Sequence, residues 1–255
     1  MPYLYGFRVS QTPKKNTKRE RIWGTVEEKK KIEEQIENFE INDILNIEHP
    51  EIILEKAKPF LELMMQYECA LMEVKNRLKI LNKEFTLKYS RNPFEAIESR
   101  LKEPLSIVEK MKRKGYALSV ENIEKNLFDV AGIRVVCSFP EDIYAIAALL
   151  SQQDDIRIVE KKDYIENPKE NGYRSLHLIL EVPIFLAEQK KYMKVEVQLR
   201  TIAMDFWASL EHKLKYKKDV ENSEEISREL KECADAISSM DFRMQEIRNK
   251  IEKKQ

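Results

Sequence analysis

In the segment Met193–Arg200, side chains alternate between two faces, as they must in an extended chain. Val195, Val197 and Leu199 fall on one side and Glu196, Gln198 and Arg200 on the other. The solvated side of an antiparallel strand would have the same pattern. Residues 174–180 repeat it, with Leu176, Leu178 and Leu180 opposed to Ser175, His177 and Ile179. Two strands therefore each carry a mixed polar face. Asp129, in Phe128–Arg134, is a carboxylate placed just before a strand that contains Arg134. With Glu196 it offers hard oxygen ligands for magnesium; read alone it serves equally well as a helix or turn cap.

Further chemistry is carried by cations and rings. Ser106, Lys110 and Arg113 follow at i, i+4 and i+7, with Lys102, Lys112 and Lys114 nearby. Such a face suits a polyphosphate, although Glu103 and Glu109 would also balance it as a solvated basic stripe. Tyr173 follows a loop marked by Pro168, Asn171 and Gly172, between Lys169 and Arg174. A tyrosine so placed can stack on a nucleobase, or sit as an ordinary aromatic at a strand edge.

Composition removes several other chemistries. Histidine occurs only at positions 49, 177 and 212, so an all-histidine metal centre or an HExxH site has no material. Cys69, Cys137 and Cys233 are odd in number, far apart and without a CxxC, which excludes a disulfide framework and a zinc ribbon. Only 5 glycines occur in 255 residues, and none builds a GxGxxG or a GxxxxGK[ST] loop, so any nucleotide must be held by side chains. The 45 Lys+Arg balance the 45 Asp+Glu, and an anionic partner must therefore meet a local patch. At 42% hydrophobic and 35% charged the chain has a globular composition. It shows neither a membrane-length apolar run nor an apolar leader, and the expected location is the cytoplasm.

The elements that must position these residues can be read from periodicity. Residues 1–24 form a basic arm in which Arg8, Lys14, Lys15, Lys18, Arg19 and Arg21 face Glu20 alone. A helix is expected from Thr25 to about Glu48, through Ile32, Ile36 and Phe39. A second runs through Phe60, Met64, Tyr67, Leu71, Val74, Leu78, Leu81 and Phe85, stepping by four and three like a heptad seam in need of a partner helix. Residues 94–114 read as a third, with Leu101, Leu105, Val108 and Met111 as its apolar stripe despite Pro104. Strands are expected at 132–139, 155–162, 174–182 and 191–200, in a sheet of four or five, with a helix after Pro140 and another over 201–217. A last seam of Ile226, Leu230, Cys233, Ile237, Met240, Met244, Ile247 and Ile251 marks a long final helix. The class is α+β.

Four ordered motifs carry a resemblance. Ser99–Lys102 leads to Lys110–Arg113; Asp129–Arg134 follows; then come Lys162–Ile165 with Asn171–His177, and Glu196–His212. Over about residues 55–250 the chain resembles the synthetase domain of the RelA/SpoT family, especially the small alarmone synthetases. The resemblance implies a nucleotidyltransferase-like mixed β-sheet flanked by helices, with residues 52–255 as the synthetase domain behind a basic arm and helix at 1–51. It implies transfer of pyrophosphate from ATP to a ribose 3′-hydroxyl, with AMP released. By position, Asp129 and Glu196 become the Mg2+ carboxylates and Glu196 the base. Arg100 and Arg134 become the clamp on adenine, and Lys102, Ser106, Lys110 and Arg113 the holders of the ATP phosphates. Tyr173 would stack on the acceptor base, with His177, Gln198 and Lys169 on the acceptor side. The acceptor expected first is GDP or GTP. The basic arm keeps open the toxic branch of the family, which modifies the 3′-terminal adenosine of tRNA and would pair with a neutralising antitoxin. The two heptad seams, and the homotetramers formed by housekeeping members, lead us to expect a homo-oligomer.

Overall fold

The computed structural model describes residues 50–89, 91–215 and 223–253; the basic arm and the helix expected at 25–48 lie outside the described residues. The chain divides after Ala57 into two units. Of the first, only helical residues 50–57 are described; the sheet and the rest of the described helical chain belong to the second, Lys58–Gln255.

Five strands make one sheet: β1 (Phe94–Leu101), β2 (Ala131–Cys137), β3 (Arg157–Asp163), β4 (Leu176–Phe185) and β5 (Lys190–Thr201), in the order β1-β2-β5-β4-β3. β2 and β5 run parallel, and every other neighbouring pair is antiparallel. The helices are α1 (Pro50–Tyr89), α2 (Pro104–Arg113), α3 (Val120–Asn126), α4 (Pro140–Ser151), α5 (Ile202–Lys215) and α6 (Ser223–Glu252). This is the expected α+β arrangement, a mixed sheet flanked by helices.

Alternation places the core. Met193, Val195, Val197 and Leu199 of β5 join Leu176, Leu178, Leu180 and Val182 of β4 and Ile133 and Val135 of β2 in one apolar cluster, all at most 2% exposed. Leu63, Tyr67, Val74 and Leu78 of α1 belong to the same cluster. The α1 seam thus enters the core that the sheet's apolar face builds, together with Ile107 and Met111 of α2 and Ile123 of α3. Its polar flanks tie it to the same body: Arg77 grips Asp155 in a two-pronged ion pair, and Lys191 of β5 donates to Gln66 at 2.8 Å.

Two expectations are corrected. Residues 94–114 are not one helix: Phe94–Leu101 is an edge strand, and the helix starts at Pro104, which occupies its first turn where a missing N–H costs nothing. The new start shifts the buried face to Ile107 and Met111, leaving Leu105 exposed. In α6 the buried positions Ala234, Asp241 and Gln245 each lie one residue beyond Cys233, Met240 and Met244 of the expected seam. Met240, Met244, Ile247 and Ile251 stay exposed. The displacement has a polar cause. Asp241 accepts from Thr201, Gln245 donates to Glu141, and Arg248 reaches the buried Asp142, while only Leu230, Ala234 and Ile237 meet the small apolar cluster around Trp207.

Candidate active site

The sheet face turned away from the core carries two rows of side chains that cross all five strands in register. One row is Arg100, Gly132, Glu196, Ile179 and Glu160; the next is Glu98, Arg134, Gln198, His177 and Lys162. Two cavities open on this face. The first, about 460 Å³, is lined by Arg100, Asp129, Gly132, Arg134, Glu196 and Gln198 among others. The second, about 200 Å³, is lined by Glu160, Lys162, Tyr164, Lys169, His177 and Glu196, with Ile179. Glu196 is a wall of both.

Asp129 sits in the short connection between α3 and β2. Its Oδ2 pairs with Lys102 at 3.1 Å and, more closely, with Lys110 of α2. Burial alone would raise this carboxyl, but the hydrogen bond from Lys110 and the charges of both lysines outweigh it and hold it below the usual range. Its Oδ1 is buried with no hydrogen-bond partner among the described residues. Glu196 shows the same balance. Burial pushes it up, yet bonds from His177 and Gln198 hold it below the usual carboxylate range, against the opposing charge of Asp129.

Two carboxylates within electrostatic reach of each other, one with an oxygen free of partners, form a donor set that fits a hard divalent cation. The described residues contain no group of three or more His, Cys, Asp or Glu arranged to hold a metal. The remaining ligands would therefore be water and phosphate oxygens, as is usual for an ion bound through one or two carboxylates.

The other expected residues distribute unevenly. Arg100 and Arg134 line the first cavity, and Gln198, expected on the acceptor side, opens there too. Lys169 and His177 line the second. Ser106 and Arg113 are exposed on α2 and line neither. Tyr173 also lines neither of the two. Its ring meets Tyr164 and His177 edge to face at 6.0 and 5.9 Å, and the Lys169 ammonium lies 4.7 Å from its centroid and 4.6 Å from that of Tyr164. Lys162 and Tyr164 were not singled out from the sequence as site residues, though both fall in the motif Lys162–Ile165. Alternation on β3 was the available signal, since it places Lys162 beside His177.

The loop before β4 is braced from behind. Gly172 has φ +87°, a left-handed conformation, and a Cβ there would lie 2.5 Å from the Ala234 Cβ of α6. Arg174 donates to Asp235 at 2.9 Å and so ties the same loop to α6.

A model of the region found in RelA/SpoT proteins matches residues 99–221, which include every residue named above as lining the two cavities. GTP pyrophosphokinase YwaC of Bacillus subtilis is 43% identical over 189 residues, 74% of this chain and 90% of that protein. The chain belongs to the RelA/SpoT family. Within the family its likeness is to small alarmone synthetases. Small alarmone synthetase 2 of Bacillus subtilis superposes with a TM-score of 0.67 at 42% identity, covering 75% of this chain and 98% of that one. Small alarmone synthetase 1 of the same organism, bound to its product pppGpp, gives 0.69 at 34% identity, covering 76% and 98%.

Proposed function

We propose that this chain transfers the β,γ-pyrophosphate of ATP to the ribose 3′-hydroxyl of GDP or GTP, giving (p)ppGpp and AMP. The observation that carries the reading is the position of Glu196, shared by two cavities of unequal size that suit a donor and an acceptor. The relatives support the guanine nucleotide, being named GTP pyrophosphokinases or, in one structure, holding pppGpp.

The larger cavity takes ATP, with Arg100 and Arg134 beside the adenine. Lys102 and Lys110 exchange the Asp129 carboxylate for phosphate oxygens, and Ser106 and Arg113 extend the same helical face toward them. Asp129 and Glu196 hold magnesium, whose charge offsets that of the polyphosphate. The smaller cavity takes the acceptor, with Lys169 and Lys162 toward its phosphates, His177 beside the ribose, and Tyr164 and Tyr173 as the aromatic pair for its base. The Lys169 ammonium lies over one face of Tyr173, so a base that stacks on that face displaces it. Glu196 accepts the proton of the 3′-hydroxyl; the oxygen attacks the β-phosphorus, the bond from that phosphorus to the α-phosphate oxygen breaks, and AMP departs.

No helix among the described residues is long and apolar enough to cross a membrane, and we place the enzyme in the cytoplasm. The tRNA alternative, with its antitoxin, rests on the basic arm alone and draws no support from these relatives. Incubation with γ-labelled ATP and either GDP, GTP or bulk tRNA tests the assignment. Label is expected in guanine tetra- or pentaphosphate; label in tRNA alone refutes it.

A further inference from the structure

Arg200 lines neither cavity, and its side chain is only 7% exposed. Its guanidinium is nevertheless shared among three partners. Nη1 donates to Asp205 Oδ1 at 3.2 Å, while Nη2 donates to the Tyr173 hydroxyl at 2.7 Å and to Gln198 Oε1 at 3.1 Å. Both of the latter lead on to Glu196. The Tyr173 hydroxyl lies 2.8 Å from His177 Nε2, and His177 Nδ1 lies 3.0 Å from Glu196 Oε1. Gln198 Nε2 donates to Glu196 Oε2 at 2.9 Å. Two arms leave one guanidinium and meet on one carboxylate, closing a ring of five side chains.

The direction of the protons is set by its ends. An arginine only donates and a carboxylate only accepts. The Tyr173 oxygen accepts from Arg200 and from Ser175 Oγ at 2.9 Å, which uses both of its lone pairs. Its own proton is thereby directed to His177 Nε2, which leaves Nδ1 as the ring nitrogen that donates to Glu196. On the other arm, Arg200 takes the amide oxygen of Gln198 and turns the amide nitrogen to Glu196.

We propose that Arg200 is a positioning residue for the transfer. It fixes the proton order of this ring so that both oxygens of Glu196 are gripped from one side, with their remaining lone pairs left for the junction of the two cavities. Asp205 holds Arg200 in turn, and its Oδ1 lies 3.6 Å from Nε of Arg134 in the larger cavity. The kinetic consequence rests on reading Glu196 as the base; the ring does not.

The ring can be read without activity. Nitrogen-15 spectra of the ligand-free protein, with His177 assigned among three histidines, are expected to show its proton on Nδ1 and Nε2 bare. A proton on Nε2 overturns the proposal, because Tyr173 could not then donate to it. The second measurement uses Arg200→Lys, which keeps the charge but replaces the fork by a point donor. The expected result is a fall in kcat of about 10–100-fold with KM for ATP and GDP held within about twofold. Tyr173→Phe cuts one arm and keeps the aromatic ring, so the two changes together should cost less than the product of their separate effects. Multiplicative losses, or a raised KM at unchanged kcat, overturn the proposal. A parent protein that labels neither guanine nucleotide sinks the functional reading instead, while the spectrum still decides the ring.

Discussion

Replacing Glu196 by glutamine keeps the volume of the side chain and removes its charge, which separates chemistry from folding. Its two oxygens accept from different donors, Oε1 from His177 and Oε2 from Gln198. A glutamine has one accepting oxygen, so whichever way its amide turns, an NH2 meets a donor. One unsatisfied contact in a half-buried site costs about 1–3 kcal/mol, and each kcal/mol lowers the melting temperature of a domain this size by about 2–4 °C. The side chain lies on the sheet face opposite Val195 and Val197, so the change opens no gap in the apolar cluster. The fold should survive, with an unchanged circular dichroism spectrum at 25 °C. The chemical loss is larger, since an acid–base group contributes about 10²–10⁴-fold. The assay is transfer of label from γ-labelled ATP to GDP with both nucleotides saturating. A variant within about tenfold of the parent would refute the assignment of Glu196. A lost dichroism spectrum would instead show that the residue holds the fold.

Tyr173→Ala should weaken acceptor binding by the value of one stacked base, about 1–3 kcal/mol, and leave ATP affinity, measured by titration calorimetry, within about twofold; equal losses on both sides would sink the division into two cavities. Burial raises the Asp241 carboxyl above its usual range, with the Thr201 bond opposing. Such a group binds its proton more tightly when folded, so its contribution is best at low pH and is lost as pH climbs from the ordinary 3.8 through the folded value. Asp241→Asn should therefore melt above the parent at pH 7, with the gap closing on acidification; parallel melting curves at every pH would contradict this. The exposed row of Met240, Met244, Ile247 and Ile251 fits self-association. Light scattering at micromolar concentration should give a multiple of 30.3 kDa, and a strictly monomeric mass would exclude it.

Strand β5 was legible because it is flanked on both sides by other strands and, as far as Gln198, is fully buried on one face only, so its alternation is written plainly in Val195, Glu196, Val197 and Gln198. Strand β1 was not. As an edge strand it buries little beyond Phe94, and its Glu95, Ala96, Glu98, Arg100 and Leu101 are all good helix formers, so tertiary pairing with β2 overrides local propensity. The register of α6 was missed for a different reason. Its contacts with Thr201, Glu141 and Asp142 are polar, and hydrophobic periodicity cannot see a face that packs through hydrogen bonds. Of the site, Asp129 and Glu196 stood out by type and place. The ring through Arg200 did not, because it depends on the order of strands β4 and β5 and on a loop that neither strand contains.

At Gly172 the backbone needs a left-handed turn and the neighbouring helix leaves no room for a single methyl group. The two demands have different remedies in most proteins, since an asparagine relieves the first and a smaller neighbour the second. Here the neighbour is Ala234, which offers nothing but its own methyl to remove, and the glycine itself cannot shrink. Substitution at 172 alone therefore fails on both counts and needs loss of the Ala234 methyl as well as a residue that tolerates the left-handed turn, whereas growth at 234 has no compensating change across the contact. The loop before β4 and the C-terminal helix must consequently change as a pair at this contact, so that a sequence altered at 172 carries a matching alteration at 234.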